Sequence, residues 1–167
     1  GNPAPREVLI RTIAAGVCHS DLHFQNGSYP YQLPAILGHE SAGIVEAVGS
    51  DVTYVKKGDH VITCLSAFCG HCEPCITGRM SLCAEPELQR DEDGPSRLAK
   101  NDEKISQFLN LSSFAEYMLV HEHTVAKIRD DMPMDIAALI GCGVTTGVGA
   151  VIHTAKVEPG STVAVIG

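Results

Sequence analysis

Alternating apolar and polar positions divide much of the chain into short segments that predict β-strands. The clearest segment is 7–14, Glu-Val-Leu-Ile-Arg-Thr-Ile-Ala, which is rich in β-branched side chains. Similar patterns follow at 41–49, at 55–63 (a turn and then a strand) and at 114–128. Short strands separated by glycine and aspartate turns are typical of a small β-barrel, so we predict a mainly β fold.

The remaining segments predict helices, a loop and one further strand. Residues 16–23 are polar and predict a turn or a short helix. Residues 134–140 predict a helix behind an aspartate cap, and a second helix is predicted from Thr146 to Lys156. The polar stretch 84–110 predicts a long loop. Residues 162–167 follow a turn and predict a buried strand.

Composition excludes several classes of protein. The chain has 167 residues, of which 44% are apolar, enough to bury a core and too many for general disorder. Its apolar runs stay below the roughly 18 residues that a membrane helix needs. Twelve Lys and Arg against twenty Asp and Glu give a net charge of −8. This negative charge argues against a nucleic-acid partner. Together with the short apolar runs, it leads us to expect neither nucleic acid nor a membrane as a partner.

Four of the seven cysteines are close together in the sequence, in the order Cys69, Cys72, Cys75 and Cys83. Four thiolates in one loop can complete the tetrahedral shell of a structural zinc ion, with Zn–S bonds of about 2.3 Å. Disulfides between such near neighbours would close small strained loops, so zinc is the preferred interpretation. Cys64 has no neighbouring partner and is expected to be a buried free thiol.

Cys18, His39 and Cys142 lie far apart, and their spacing alone does not join them. Each lies in a glycine-flanked polar segment beside an apolar one. One histidine and two cysteines are a known catalytic zinc set, which leaves the fourth position of the metal open. Taken one at a time, however, these residues are better explained as buried cysteines and a hydrogen-bonded core histidine.

Six segments stand in a characteristic order: Gly-Val-Cys-His-Ser-Asp at 16–21, Gly-His-Glu at 38–40, Gly-Asp-His-Val at 58–61, the four cysteines at 69–83, the segment 93–117, and Gly-Cys-Gly-Val-Thr-Thr-Gly at 141–147. In this order they resemble the catalytic domain of the zinc-dependent, medium-chain alcohol dehydrogenases, in their liver-type branch. The resemblance implies a GroES-like, partly open β-barrel with short helices and a four-cysteine zinc lobe over 1–161. Residues 162–167 would begin a Rossmann nucleotide-binding domain, truncated at Gly167, the first glycine of its cofactor-binding fingerprint.

The resemblance implies two zinc ions, one structural and one catalytic. Cys18, His39 and Cys142 match the ligands of the catalytic ion. Asp21 and Glu40 match positions where a carboxylate orients the ligand histidine or approaches the metal. The interpretation of the three scattered residues as a zinc site therefore depends on the resemblance, and not on their spacing.

Four further residues match positions that handle substrate and cofactor. Ser20 matches the hydroxyl that hydrogen-bonds the substrate alcohol, and His23 matches a surface histidine that completes a proton relay through the cofactor ribose. His19 and Thr146 match contacts with the pyrophosphate and the nicotinamide of the cofactor. Without the resemblance, the hydroxyl side chains would be interpreted as caps and the two histidines as solvated side chains.

The implied function is an oxidoreductase that transfers a hydride between a primary or aryl alcohol, or its aldehyde, and NAD(P), with NAD favoured over NADP. Two alternatives stay open: an S-(hydroxymethyl)glutathione (formaldehyde) dehydrogenase, and a zinc-binding scaffold without turnover. His23 argues against the first, because that branch usually lacks a histidine there. The resemblance also implies a cytoplasmic protein that acts on small molecules as a homodimer or homotetramer. The 167-residue chain alone is expected to be inactive, because the cofactor cradle would lie beyond it.

Overall fold

A five-stranded antiparallel sheet forms the centre of the protein in the computed structural model, which describes residues 2–85, 88, 96–101 and 103–166. The strands are β1 (Glu7–Ala15), β2 (Ala35–Ile36), β3 (Ser41–Val48), β4 (His60–Thr63), β5 (Ala99–Lys100), β6 (Glu103–Lys104), β7 (Ser106–Gln107), β8 (Tyr117–His121) and β9 (Val125–Lys127). The α-helices are α1 (His19–Gln25), α2 (Glu73–Ile76), α3 (Met134–Ala138) and α4 (Gly143–Gly149). Helix α4 continues as a π-helical turn, Ala150–Thr154, and 3-10 turns occur at Met80–Leu82, Phe108–Asn110, Glu122–Thr124 and Leu139–Gly141.

The sheet is curled and has two open edges. Its strand order is β8-β1-β3-β4-β9, so β8 and β9 lie at the edges. Register shifts between Leu9 and Ile10 and between Thr12 and Ala14 interrupt the pairing of β1 with β3. Such bulges bend a strand and increase its twist, which curls the sheet. The predicted mainly β, partly open barrel is confirmed.

The main apolar core lies inside the curl of the sheet. Val8 and Ile10 on β1 are fully buried, as is Val120 on β8, and Met118 is almost so, which matches the two-residue period of a strand. Further residues of this core are Val45, Val52, Val55, Val61, Leu111 and Val125.

A second, smaller core brings the last helices against the sheet. It consists of Ala42 on β3 with Ala137 and Ala138 on α3. The 3-10 turn that follows α3 places Gly141 against the carbonyl oxygen of Thr63, where a Cβ atom on residue 141 would clash. Glycine is therefore required at this contact, which holds Cys142 at the end of β4.

Both predicted C-terminal helices are present, and α3 begins at Met134 as predicted, but the predicted aspartate cap of α3 and the predicted start of α4 are wrong. Pro133 is the N-cap residue of α3, and within the described residues no side chain forms a capping hydrogen bond there. Helix α4 begins at Gly143, before the predicted start at Thr146. The amide of Thr146 donates to the carbonyl oxygen of Cys142 over 2.9 Å, so Thr146 closes the first turn and does not cap it.

The segment predicted as a long loop, 84–110, contains three short strands among its described residues. Strands β5 and β6 pair with each other, and β7 pairs with β2 in parallel. Arg97 ties the segment to β1, because its Nε donates to Glu7 over 2.7 Å and both side chains are buried. A buried guanidinium with a carboxylate partner is a specific contact that residue spacing does not indicate. Residues 86, 87, 89–95 and 102 lie outside the described residues, as does part of the segment 93–117.

The strand predicted at 162–167 is not observed. Residues 161–166 have no regular secondary structure, and Val165 and Ile166 are 89% and 96% exposed. A strand requires a neighbour for its backbone hydrogen bonds, and the described part of the chain places none beside this segment. Gly167 lies outside the described residues. The assignment of 162–167 to a second domain stays a prediction.

Among the described residues, no single helix is both long and apolar enough to cross a membrane. One bent pair, Met134–Gly141 with Gly143–Thr154, meets the length and composition criteria only when its two helices are combined across a 49° bend.

His121, the last residue of β8, is buried with one ring nitrogen unpaired. Its Nδ1 accepts a hydrogen bond from the amide of His123 over 3.1 Å and so caps the turn Glu122–Thr124. Its Nε2 has no hydrogen-bond partner within the described residues. Burial, together with the positive charge of Arg6, lowers the pKa of His121 to about 4.

We expect this histidine to make the protein less stable in mild acid. The unfolded chain takes up a proton at His121 below its ordinary pKa of about 6.5, whereas the folded chain stays neutral there until about pH 4. The contribution of neutral His121 to the free energy of unfolding is complete above about pH 6.5. About 2 kcal/mol of that contribution is lost by about pH 5. Urea denaturation at pH 7 and pH 5 should show a smaller loss of stability in His121→Asn, whose amide oxygen can replace Nδ1 as the acceptor. His153→Asn changes an exposed histidine and should keep the wild-type loss; the same loss in all three proteins would contradict the expectation.

Candidate metal centres

The four clustered cysteines converge in one lobe, residues 69–83, which we call the cysteine lobe. The sulfur of Cys72 lies 3.4 Å from that of Cys75 and 3.8 Å from that of Cys83, and the sulfurs of Cys69 and Cys75 are 3.8 Å apart. All four lie within 4.8 Å of one another. Sulfurs bound to one zinc ion in a tetrahedron at about 2.3 Å would be about 3.8 Å apart. The donor set and its spacing therefore fit zinc, with no position left open.

Backbone amides of the cysteine lobe point at its sulfurs. The amides of His71 and Cys72 donate to the sulfur of Cys69 over 3.4 and 3.3 Å, and the amide of Cys69 donates to the sulfur of Cys83 over 3.3 Å. Although burial opposes ionisation, hydrogen bonding by these amides lowers the pKa of Cys69 to about 6. These amides thus favour the thiolate of Cys69, which is the form that binds metals. By contrast, although a hydrogen bond with the backbone of Cys75 opposes the shift, burial and hydrogen bonding with the sulfurs of Cys75, Cys69 and Cys83 raise the pKa of Cys72 to about 12.

A second group joins three residues that are remote in the sequence. Cys18 precedes α1, His39 precedes β3 and Cys142 precedes α4, yet their donor atoms all lie within 4.8 Å of one another. The sulfur of Cys142 is 3.4 Å from Nε2 of His39, across 103 residues of sequence. A zinc ion bound to sulfur at about 2.3 Å and to nitrogen at about 2.0 Å would hold these atoms about 3.5 Å apart. We call this group the three-donor site; a tetrahedral metal there would keep one open position.

The electrostatics of the three-donor site favour a cation. Burial, followed by the neighbouring Cys18, raises the pKa of Cys142 to about 11, and the carboxylates of Glu40 and Asp21 act in the same direction. Two thiols and two carboxylates thus crowd one small space. A metal ion relieves this crowding, because a coordinated thiol is held as the thiolate.

Asp21 organises two of the three donors. Its side chain is almost completely buried, and its Oδ1 accepts the amide of Gly38 over 3.1 Å and lies 3.2 Å from Nδ1 of His39. Its Oδ2 accepts the amide of Cys18 over 3.0 Å. With its Nδ1 proton directed at the carboxylate, His39 presents the lone pair of Nε2 to the site. The carboxylate of Asp21 therefore faces the ring of His39, and its role in orienting a metal ligand stays a prediction.

Glu40 joins the segments that carry the two cysteine donors. Its carbonyl oxygen accepts the amide of Gly16 over 2.8 Å, and its Oε1 accepts the amide of Gly143 over 3.4 Å. A Cβ atom on residue 16 would lie 2.9 Å from the carboxyl carbon of Glu40, so a side chain at that position would displace the carboxylate. This explains a glycine beside Cys18, in the segment where the sequence analysis noted it.

The remaining predicted residues lie toward the surface. Ser20 and His23 are half-buried on α1 and share one face of the helix, while His19 is exposed. Thr146 is exposed on α4, and Gly167 lies outside the described residues. The roles of these five residues toward substrate and cofactor stay predictions.

Cys64 directly follows β4 and belongs to neither donor group. It is a free thiol, as expected, but it is half-buried and not fully buried. Its amide donates to the carbonyl oxygen of Thr124 over 2.8 Å, which holds the end of β4 beside the turn before β9.

An aromatic cluster that the sequence analysis did not identify lies against the three-donor site. The ring of Phe108 is fully buried, and its centroid lies 5.8 Å from that of His39. The rings of Phe24 and Tyr31 pack on Phe108 with centroids 4.8 and 5.2 Å away. Phe108 stands in the polar segment predicted as a loop, so no local pattern connected it with Phe24 on α1.

His123 attaches Phe68, the residue directly before the cysteine lobe, to the barrel, and this contact was also not predicted. Its ring stacks on Phe68 with centroids 4.5 Å apart and planes at 15°, and its Nδ1 is hydrogen-bonded to the carbonyl oxygen of Phe68. Nε2 of the same ring lies 3.3 Å from the guanidinium of Arg6. A single histidine in an alternating strand pattern carries no signal for such a contact.

Comparison with known proteins places this geometry in a family. Residues 4–130 match the alcohol dehydrogenase GroES-like domain. The chain is 45% identical over 171 residues to an alcohol dehydrogenase class-3 from Pisum sativum, and 44% identical over 170 residues to an S-(hydroxymethyl)glutathione dehydrogenase from Escherichia coli O1:K1 / APEC. The alignments cover 99% of this chain but only 45% and 46% of these relatives, so the chain spans less than half of their length.

Solved structures agree with the sequence matches. The benzyl alcohol dehydrogenase from Acinetobacter calcoaceticus is similar with a TM-score of 0.80 and 37% identity, over 97% of this chain and 44% of that one. The CAD from Helicobacter pylori complexed with NADP(H) is similar with a TM-score of 0.71 and 29% identity, over 95% and 44%. The family match extends over residues 4–130, which is most of the chain, and the similarity to these relatives covers nearly all of it. The chain therefore belongs to the zinc-dependent alcohol dehydrogenase family, whose GroES-like domain it contains.

Proposed function

We propose that the protein containing this chain is a zinc-dependent oxidoreductase that interconverts a primary or aryl alcohol and its aldehyde, with NAD(P) as the hydride acceptor and donor. The observation that carries the proposal is the difference between the two donor groups. Four sulfurs close the cysteine lobe, whereas Cys18, His39 and Cys142 are three donors and leave room for one exchangeable ligand. A closed coordination shell is typical of a structural metal, and a shell with an open position is typical of a catalytic metal.

When bound at the three-donor site, zinc would supply a Lewis acid that polarises an alcohol or carbonyl oxygen. The chain supplies orientation and proton transfer. Asp21 holds the proton on Nδ1 of His39 and so keeps the ring fixed. The Ser20 hydroxyl would accept the proton of the substrate alcohol, and His23, one turn along α1, would pass it toward solvent. The half-buried positions of both side chains support this path from the interior to the surface.

The aromatic cluster supports apolar or aryl substrates. Phe108, Phe24 and Tyr31 form edge-to-face contacts beside His39. Phe108 is fully buried and supports the other two rings, while Phe24 and Tyr31 are half-buried and would present an apolar surface to the part of a substrate that does not react. The likeness to a benzyl alcohol dehydrogenase supports the same substrate class.

The proposal for the cofactor rests on the family and on two positions. His19 on α1 would contact the pyrophosphate and Thr146 on α4 the nicotinamide, and both side chains are exposed, as a cofactor contact requires. NAD is proposed in preference to NADP, although one similar structure holds NADP(H). Cytoplasmic location and assembly as a homodimer or homotetramer belong to the same proposal and rest on the resemblance alone.

A second candidate is oxidation of S-(hydroxymethyl)glutathione. It is supported by the names of the two curated relatives that are 45% and 44% identical to the chain. His23 argues against it, as the sequence analysis states. Both candidates use the same three-donor site, so only the substrate separates them.

Turnover with three substrates tests the proposal. Ethanol, benzyl alcohol and S-(hydroxymethyl)glutathione are each offered with NAD and with NADP to the zinc-loaded protein that contains this chain. We expect the highest kcat/KM with benzyl alcohol, and a loss of about 100-fold in Ser20→Ala because a proton-transfer group is removed. Ser50→Ala removes an exposed hydroxyl and should keep full activity. A preference for S-(hydroxymethyl)glutathione would favour the second candidate, and no turnover with any substrate would favour a scaffold.

A further inference from the structure

Two histidines on α1 present their rings to each other outside both donor groups. His19 and His23 are four residues apart, so they share one face of the helix. Their ring centroids are 4.6 Å apart and their planes meet at 67°. Within the described residues, neither imidazole forms a hydrogen bond or an ion pair. Their nitrogens are therefore available to a ligand.

The spacing of the two rings suits two ligands of one metal ion. With metal–nitrogen bonds of about 2.0–2.1 Å and about 1.2 Å from nitrogen to ring centroid, two imidazoles on one metal have centroids about 4.6 Å apart at a right angle and about 5.3 Å apart at the tetrahedral angle. The observed 4.6 Å is close to this range, so both rings are within reach of one metal ion. Histidines four residues apart on one helix face are an established pair of metal ligands.

The surroundings of the pair also suit a cation. Tyr29 packs edge-on against His23 with centroids 5.0 Å apart, which holds the ring in place before a metal arrives. His19 is exposed, so the site is open to solvent. The chain carries a net charge of −8, which attracts cations in general.

We propose that His19 and His23 form a chelating site for a divalent transition metal, with Ni²⁺ as the probe. The site is distinct from the cysteine lobe and from the three-donor site, and it requires no thiolate. Imidazole nitrogen suits nickel and copper as well as zinc, and nickel is chosen because it can be told apart from zinc bound at the other two sites.

Occupation of this pair would inhibit the enzyme, a consequence that rests on the proposed function. A metal bound to both rings would remove His23 from proton transfer and His19 from the cofactor pyrophosphate. Inhibition should therefore weaken as the cofactor concentration rises, because the cofactor and the metal compete for His19.

Calorimetric titration of Ni²⁺ into untagged, zinc-loaded protein tests the site, with metal analysis after each titration. We expect one Ni²⁺ per chain without loss of zinc, and at least tenfold weaker binding in His19→Gln and in His23→Gln. The double variant should bind only slightly more weakly than either single variant, because one imidazole alone cannot chelate. His153→Gln removes an exposed histidine elsewhere and should bind as the wild type does.

Wild-type affinity in either single variant, or nickel uptake only in exchange for zinc, would overturn the chelating site. Turnover in the presence of Ni²⁺ separates this result from the proposed function. Bound nickel with full activity would overturn the inhibition and the roles proposed for His19 and His23, while an absence of nickel binding would leave those roles untouched.

Discussion

Replacing Cys75 by serine should remove one of two bound zinc ions and lower the melting temperature by about 10 °C or more. Cys75 is buried in α2, and its sulfur lies 3.8 Å from that of Cys69 and 3.4 Å from that of Cys72. Three thiolates cannot complete a closed tetrahedral shell, and the free energy of zinc binding in such a lobe is free energy of folding. Metal analysis and thermal unfolding followed by circular dichroism measure the two effects.

Two further variants serve as a control for this result and as a comparison with the three-donor site. Cys64→Ser changes a half-buried cysteine that belongs to neither donor group, so it should keep both zinc ions and melt close to the wild type. Cys18→Ser should also lose one zinc ion, but with a smaller fall in melting temperature. The reason is that zinc in an open catalytic site contributes less to the free energy of folding than zinc in a closed structural site. An equal loss of folding in Cys18→Ser and Cys75→Ser would show that the structural and catalytic roles are wrongly assigned.

Asp21→Asn should weaken zinc binding at the three-donor site by about 10- to 100-fold and leave the cysteine lobe loaded. The carboxylate faces three donors, the amides of Cys18 and Gly38 and Nδ1 of His39. An amide side chain has only one oxygen, so its NH₂ group must face one of these donors. Such a mismatch in a buried site costs about 1–3 kcal/mol and turns the imidazole away from its metal-binding orientation.

Competition with a chromophoric chelator measures the affinity of each zinc ion in Asp21→Asn. Asp51→Asn, which changes an exposed carboxylate, is the matched control and should release zinc as the wild type does. If Asp21→Asn retains both ions with wild-type affinity while it folds normally, the carboxylate does not orient His39.

The cysteine lobe and the three-donor site differ in how far the sequence predicts them. Cys69 and Cys83 are 14 residues apart, so one loop brings all four sulfurs together and spacing alone indicates the site. His39 and Cys142 are 103 residues apart, and only the folded sheet joins them. For this reason only the family resemblance connects these residues at the level of sequence, and residue chemistry alone favours a core histidine.

The features that the sequence did not predict are contacts between distant segments. Phe108 reaches His39 from a segment whose polarity indicated a loop, and Arg97 reaches Glu7 from the same segment. At 162–167 the reverse holds: the local pattern predicts a strand, but the described part of the chain provides no neighbouring strand. The apolar residues of this segment carry the pattern of a buried strand, but a pattern becomes a strand only where a neighbour accepts its hydrogen bonds.

Cys69 and Cys83 are separated by 14 residues of sequence, whereas His39 and Cys142 are separated by 103. This difference in sequence separation also sets an order of events during folding. Closing a short loop costs less chain entropy than closing a long one, and local contacts form sooner than remote ones. The cysteine lobe can therefore capture zinc while the rest of the chain is still unfolded, whereas the three-donor site exists only after β1, β3 and β4 have paired. Metal uptake by a refolding chain should accordingly occur in two phases, with the second phase reporting the completion of the barrel.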